Sequence, residues 1–493
     1  MAQEITQSMT QPITESIATA PLAETAPAGS VQAKIAFAGR ILCVVVPVAF
    51  WFAPLGLARN VQHALAITLF MIIAWITEAM DHAITGFIGC YLFWVLKVVS
   101  FSAAFSGFAD DTAWFLWGAL LFGIIATKSG LARRIAYLIM LKVGNSYSRI
   151  LLGLIICGFL LTAVVPSAIA RVVIMASIAL GLAEVFGVGK GSNIGRGMFM
   201  ILTYTANIFD KMIIAGASSI TARGLIEKVG HVPVYYSLWF IAYLPCSVIT
   251  VVAAWQLALW LYPPEIKQLP GGAAHFQEEL DKMGKWTKDE KKSIFFLVLA
   301  LALWLTDFWH HLSPSMVGLG IGLLVTLPRI GTLKVDDFKN MNCLPVFFVA
   351  AAVSMGNVLV STKALDVLTN FMFAWMTPLV KGGVYGSTLV LYWTAFVYHI
   401  FLASEISMLG TSIPLVMKFA IDKHLNPLAL GMVWTFAAGG KIFVYQSGVM
   451  IVGYSYGYFE TRDMFKVGIW LTVVESIILI LLVPFYWPLL GIR

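Results

Sequence analysis

The chain has 493 residues, 60% of them hydrophobic and only 12% charged. A soluble globule of that length could not cover so much apolar surface. Segment after segment reaches the roughly 20 residues a helix needs to cross a bilayer, and strand-like alternation is absent, so the composition excludes a barrel and marks a polytopic helical membrane protein. The net charge of +7 lies in loops and forms no nucleic-acid footprint.

In chain order, residues 1–30 are polar, rich in Ser, Thr and Pro, and slightly acidic. They lack the basic start and apolar run of a signal peptide, which predicts a disordered cytoplasmic tail over 1–33. A first membrane repeat is expected over 34–262. Its apolar segments fall near 34–57, 61–78, 82–101, 113–128, 149–186 (double length), 197–224 and 235–262. The stretch KQLPGGAAHFQEELDKMGKWTKDEKK carries Pro-Gly-Gly and mixed charges, so 263–292 is predicted as a solvated linker. A second membrane repeat is expected over 293–493. Its segments lie near 293–309, 314–328, 345–361, 365–421 (interrupted), 427–456 and 464–488.

Arg133, Arg134, Lys142 and Arg149 precede the double-length segment, and five lysines between Lys282 and Lys292 fill the linker. Arg329, Lys334 and Lys339 follow the segment at 314–328. If these loops share a side, the positive-inside rule makes it the cytoplasm and puts the N-terminus there. The expected location is a bacterial inner membrane. The five cysteines stand singly in apolar surroundings, so no metal and no cofactor is expected.

The two halves echo each other. LLGLIICGFLLTAVVPSAIARVVIMASIALGLAEV is broken at Pro166-Ser167, and LVLYWTAFVYHIFLASEISMLGTSIPLVMKFAI around Ser404-Glu405. Each is followed by a helix interrupted by small and polar residues, DKMIIAGASSI and GKIFVYQSGVM, which place Lys211 opposite Lys441. Paired interruptions at corresponding places point to the binding site of an inverted-repeat transporter.

WITEAMDHAIT, FLWGALLFGIIATKSGLARRIA and the C-terminal GYSYGYFETRDMFKVGIWLTVVESIILILLVPFYWPLLG resemble stretches of the divalent anion/sodium symporters of di- and tricarboxylates and sulfate. The resemblance runs from about residue 40 to 490. It implies an all-α inverted-repeat elevator transporter with about eleven membrane-crossing helices and two re-entrant hairpins, near 149–186 and 386–421. It also implies a homodimer in the lipid bilayer. The family's site uses a Ser-Asn-Thr motif at each hairpin tip and two Thr-Pro-Pro-type helix breaks. Here those places read Ser167-Ala168-Ile169, Ser404-Glu405-Ile406 (or Ser407-Met408-Leu409), Ala217-Ser218-Ser219 and Ser447-Gly448-Val449. Both asparagines and both threonines are gone, which removes side-chain oxygens that hold sodium. PSAIAR is similar to the family's antiporter branch in its Ser-x-x-Ala-Arg spacing, with Arg171 in the basic place.

Ser167, Ala168, Arg171, Lys211, Ser218, Ser404, Glu405, Lys441 and Ser447 are therefore the candidate substrate-binding residues. An ammonium inside a membrane needs a partner or a function. Lys211 and Lys441 could replace sodium's charge, or form structural ion pairs, Lys441 with Glu405. Arg171 could hold a carboxylate or snorkel to the interface. Glu405 could be Lys441's partner or a proton carrier. Counting Arg171, Lys211 and Lys441 against Glu405 leaves a site of +2, or +1 if Asp210 faces it, which suits a small anion. The expected function is sodium-independent anion exchange, with di- or tricarboxylate as the default substrate. Proton- or sodium-coupled symport is the alternative. An intramembrane enzyme would need a catalytic constellation, and none is present.

Overall fold

The computed structural model describes residues 31–165, 167–214, 216–268, 274–339, 341–380, 383–401 and 404–492. Most of the tail expected over 1–33, and Pro166 at the first expected break, lie outside the described residues. Among those described there are twenty helices of eight residues or more and no strands.

The first five are α1 (Val31–Phe52), α2 (Arg59–Thr77), α3 (His82–Val95), α4 (Asp111–Lys128) and α5 (Leu131–Val143). Next come α6 (Tyr147–Val164), α7 (Ala168–Val185), α8 (Asn193–Met212), α9 (Ala217–Gly230) and α10 (Tyr236–Leu261). The region expected to be a solvated linker carries α11 (Ala274–Met283). Beyond it lie α12 (Lys288–Leu305), α13 (Pro314–Leu324), α14 (Leu344–Ser361) and α15 (Ala364–Phe373). The chain closes with α16 (Gly383–Phe401), α17 (Glu405–Asp422), α18 (Pro427–Ala437), α19 (Gly448–Ser455) and α20 (Thr461–Phe485).

Among the described residues six helices are long and apolar enough to cross a membrane, or seven if the α4–α5 pair, bent by 63°, is one span. Several other apolar helices are shorter, because the double-length runs of the sequence are split. The run 149–186 becomes α6 and α7, which part at 165–167. The interrupted run 365–421 becomes α15, α16 and α17. Polar caps explain where many helices start. Asp81, Asp110, Ser146, Ser167, Ser192 and Asn426 each accept a hydrogen bond from a backbone N–H in the first turn. Thr287 and Glu290 complete a reciprocal capping box at α12.

Two groups of helices position the site. Helix α8, buried from Gly197 to Met212, packs between α6, α7 and α10. Helix α9 lies along α17, and α18 packs against α16 and α17. Beside them α4 packs along α13, and α14 against α3 and α4. A helix buried on all sides has no lipid-facing stripe, which is why α8 can carry Asn207, Asp210 and Lys211. Four of the five cysteines are buried among this packing and none is bonded to another.

Candidate functional site

Four helices begin at one small cavity. Ser167 caps α7, accepting from the Ala170 N–H at 3.3 Å. Ser447 does the same for α19, accepting from the Val449 N–H at 3.2 Å. The starts of α9, at Gly216 and Ala217, and of α17, at Ser404 and Glu405, meet them. The cavity they enclose holds about 160 Å³. Asn207 and Asp210 of α8 complete its polar side, and Leu116, Ala119, Leu120 and Pro345, from α4 and α14, form an apolar wall. The positive ends of four helix dipoles therefore converge on one space, an arrangement that attracts an anion.

Behind this lining lie buried charges. Arg171, one turn into α7 and 1% exposed, donates to Val165 O at 2.9 Å, Ala206 O at 3.0 Å and Asp210 Oδ1 at 3.0 Å. It is a buried group hydrogen-bonded to helix carbonyls and a carboxylate rather than a snorkelling one. The other Asp210 oxygen accepts from Ser218 Oγ at 3.1 Å, and the Asp210 carbonyl accepts from Ser219 Oγ. Gly216 makes that seat: a Cβ there would lie 2.2 Å from either carboxylate oxygen. In the second half Lys441 sits 2.8 Å from Glu405 Oε2. Helices α7 and α17 are thus each tied to the residues before a helix break by one ion pair, with the charges exchanged between the two.

Lys211 is 2% exposed. Its Nζ lies 3.5 Å from Phe436 O, 5.9 Å from the centre of the Phe436 ring, and against Gly439, where a Cβ would come within 1.4 Å. It lies in the fields of Lys441, Glu405, Glu475 and Asp210. The backbone of each lysine is pegged by an aromatic donor: Trp239 Nε1 to Lys211 O at 2.8 Å, and the Tyr204 hydroxyl to Lys441 O at 3.0 Å. The second break is braced by Gln446, whose Oε1 accepts from the Ile442 and Phe443 N–H groups while its Nε2 donates to His399 O. Ser447 Oγ donates to Asn207 Oδ1 at 3.1 Å, linking the halves.

Of the nine candidates, Ser167, Ala168, Ser218, Ser404, Glu405 and Ser447 line the cavity. Arg171, Lys211 and Lys441 do not; they stand behind it, two of them bonded to carboxylates that do line it. Sequence reasoning passed over Asn207 and Glu475. Asn207 and Asp210 are three residues apart on one helix face, a spacing that was readable. Glu475 is a lone acid inside the apolar run TVVESIIL, itself a signal. It is 3% exposed and accepts from the Tyr392 hydroxyl at 2.9 Å. The expected site charge of +2 or +1 is therefore corrected. Arg171, Lys211 and Lys441 are balanced by Asp210, Glu405 and Glu475, and the side-chain sum is zero.

A family profile described as the sodium:sulfate symporter transmembrane region matches residues 34–493. Similar proteins include an L-tartrate/succinate antiporter of Escherichia coli K12, 25% identical over 478 residues that cover 90% of this chain and 95% of that one. A putative malate transporter of Bacillus subtilis is 25% identical over 488 residues, 94% and 98% of the two chains. A protein of Cupriavidus necator named only as a membrane protein is 26% identical over 468 residues, 89% of each chain.

Proposed function

Since the chain belongs to the sodium:sulfate symporter family, and is a membrane transporter of small anions rather than an enzyme, we propose that it exchanges dicarboxylates across the bacterial inner membrane without sodium. The observation that carries the substrate class is the convergence of four helix N-termini on one cavity. With a side-chain sum of zero, those N–H groups and dipoles are what favour a negative charge there. The relatives named for tartrate, succinate and malate make a four-carbon dicarboxylate the first substrate to try.

The mechanism we propose is an elevator. Every polar group of the cavity comes from α7, α8, α9, α17 and α19 or from the residue capping one of them, while α4 and α14 supply only Leu116, Ala119, Leu120 and Pro345. A body that holds all the ligand contacts can slide past a wall that offers none. In this reading α6–α9 and α16–α19 are inverted repeats of about the same design, α6–α7 and α16–α17 are the re-entrant hairpins, and about eleven crossings result. The N-terminus is cytoplasmic and the working unit is a homodimer. Exchange rather than symport is supported by the missing Asn and Thr ligands at both tips and by the antiporter-named relative.

The test is counterflow in proteoliposomes. Vesicles loaded with unlabelled succinate or malate should take up the labelled anion many times faster than empty ones. Equal uptake by empty and loaded vesicles would overturn exchange; no uptake of any four-carbon dicarboxylate would overturn the substrate class.

A further inference from the structure

We propose that Glu405 is a specificity-determining acceptor, selecting dicarboxylates that carry a hydrogen-bond donor, a hydroxyl or an ammonium group, on the carbon beside one acid group. The inference rests on the cavity being the transport site.

Glu405 is the first residue of α17 and lines the cavity, with its side chain one-tenth exposed. Oε2 is engaged by Lys441 at 2.8 Å, whereas Oε1 has no hydrogen-bond partner among the described residues. A buried, charged acceptor left unbonded is unfavourable, and a ligand that brings an O–H or N–H to it gains accordingly. Asp210 and Asn207, also in the lining, are more fully occupied. Asp210 accepts from Arg171 and Ser218. Asn207 accepts from Ser447 and donates to Thr203 O.

The four helix ends are also unequal. The carboxylate of Glu405 occupies the start of α17, so the attraction of that N-terminus for an anion is already spent. The Asp210 carboxylate likewise lies against Gly216 at the start of α9, whereas the starts of α7 and α19 carry Ser167 and Gly448 and hold no acidic residue in their first turns. An acid group of the substrate is therefore directed to the starts of α7 and α19. A second bare carboxylate placed against Glu405 would be repelled, while a donor on the adjoining carbon would be bonded.

The experiment compares succinate, L-malate and L-aspartate, which share a four-carbon diacid frame and differ by a hydrogen, a hydroxyl or an ammonium at one carbon. Affinities are measured by competition against labelled substrate in counterflow and by thermal shift of the purified full-length protein. In the wild type, malate or aspartate should bind at least about tenfold tighter than succinate. Preference for malate assigns a hydroxyl, and preference for aspartate an ammonium. In Glu405→Gln the amide keeps its carbonyl on Lys441 and turns N–H toward the cavity, so the ratio should fall to near one. Glu405→Asp should retain part of it. Succinate binding the wild type as tightly as the others would overturn this proposal and leave the transport reading standing, as would an unchanged ratio in Glu405→Gln. Failure of all three to bind or exchange would overturn the dicarboxylate reading and this inference with it. The wild-type ratio decides even if both variants misfold.

Discussion

Lys211 and Lys441 stand at matching places in the two halves and are held differently. Lys441 forms a direct ion pair with Glu405. Lys211 has a carbonyl, a ring and the field of Glu475, which is itself bonded by Tyr392. Removing one member of a tight buried pair strands the other, at a cost of about 3–5 kcal/mol. Lys441→Met should therefore lower thermal stability markedly as well as abolish exchange. Lys211→Met should abolish exchange with the smaller loss of stability, and adding Glu475→Gln should restore part of what is lost. Melting curves and counterflow on the three proteins check this; a double variant less stable than Lys211→Met alone would show that Glu475 does not balance Lys211. At this scale the sequence was half legible. An ammonium within an apolar run announces itself, and Arg171 and Lys441 could be singled out by spacing and symmetry. Which carboxylate each cation meets depends on the crossing of distant helices. That is why Asp210, which on a regular helix points away from its neighbour Lys211, had no assigned partner until α7 was placed beside α8.

At the scale of elements, a helix break works only if backbone can approach what the break exposes. Gly216 lets the Asp210 carboxylate lie on the main chain at the start of α9. Gly216→Ala would set a Cβ 2.2 Å from both oxygens, so the carboxylate must leave Arg171 or the break must open. Exchange should fall by an order of magnitude or more, whereas Gly320→Ala, where a Cβ meets nothing within 4 Å, should leave it unchanged. Activity of Gly216→Ala close to that of the control would remove Asp210 from the working site. The linker offers a second test. Arg134 Nε meets Glu290 Oε1 at 2.6 Å, and its other nitrogens bond Gly284 O and Met283 O, fastening α5 to the start of α12. Burial alone would raise the Glu290 carboxyl, but Arg134 and the Thr287 N–H hold it below the ordinary carboxylate value. A depressed carboxylate stabilises above its ordinary pKa, near 4.3, and the stability is lost as pH falls through the lower folded value. The melting temperature of Glu290→Gln should lie below wild type at pH 7 and converge on it below about pH 4; a gap that persists in acid would assign the effect to packing. The sequence marked both membrane breaks by their small and polar residues. It showed the linker only as solvated and charged, because Arg134, 150 residues before the Gly284 carbonyl that it bonds, is out of view in the sequence.

For the whole molecule, the proposed exchange requires that something stop the carrier from returning empty. With three cations against three carboxylates, net charge does not forbid it, as a site of +2 would have done. The block must lie in unsatisfied polar groups. In the proposed elevator movement of an empty cavity, Glu405 Oε1 and the starts of α7 and α19 would pass an apolar wall of Leu116, Ala119, Leu120 and Pro345 with no donor or acceptor to meet them. Each buried polar group without a partner costs about 1–3 kcal/mol, more if charged, so a few of them suffice to slow the empty movement tenfold or more. A bound dicarboxylate satisfies them together and releases the block. Three outcomes follow in one apparatus. Efflux of labelled substrate should rise at least about tenfold when substrate is added outside. Replacing sodium by choline should leave that rate unchanged, since no Asn or Thr remains at either tip to hold the ion. An inward proton gradient should produce no net accumulation of an anion that stays fully ionised if Glu405 is the fixed partner of Lys441, 2.8 Å away. Accumulation driven by the proton gradient in wild type and lost in Glu405→Gln would make Glu405 a proton carrier. The protein would then be a symporter, since a neutral, protonated Glu405 would leave the empty carrier free to return once its proton had been delivered.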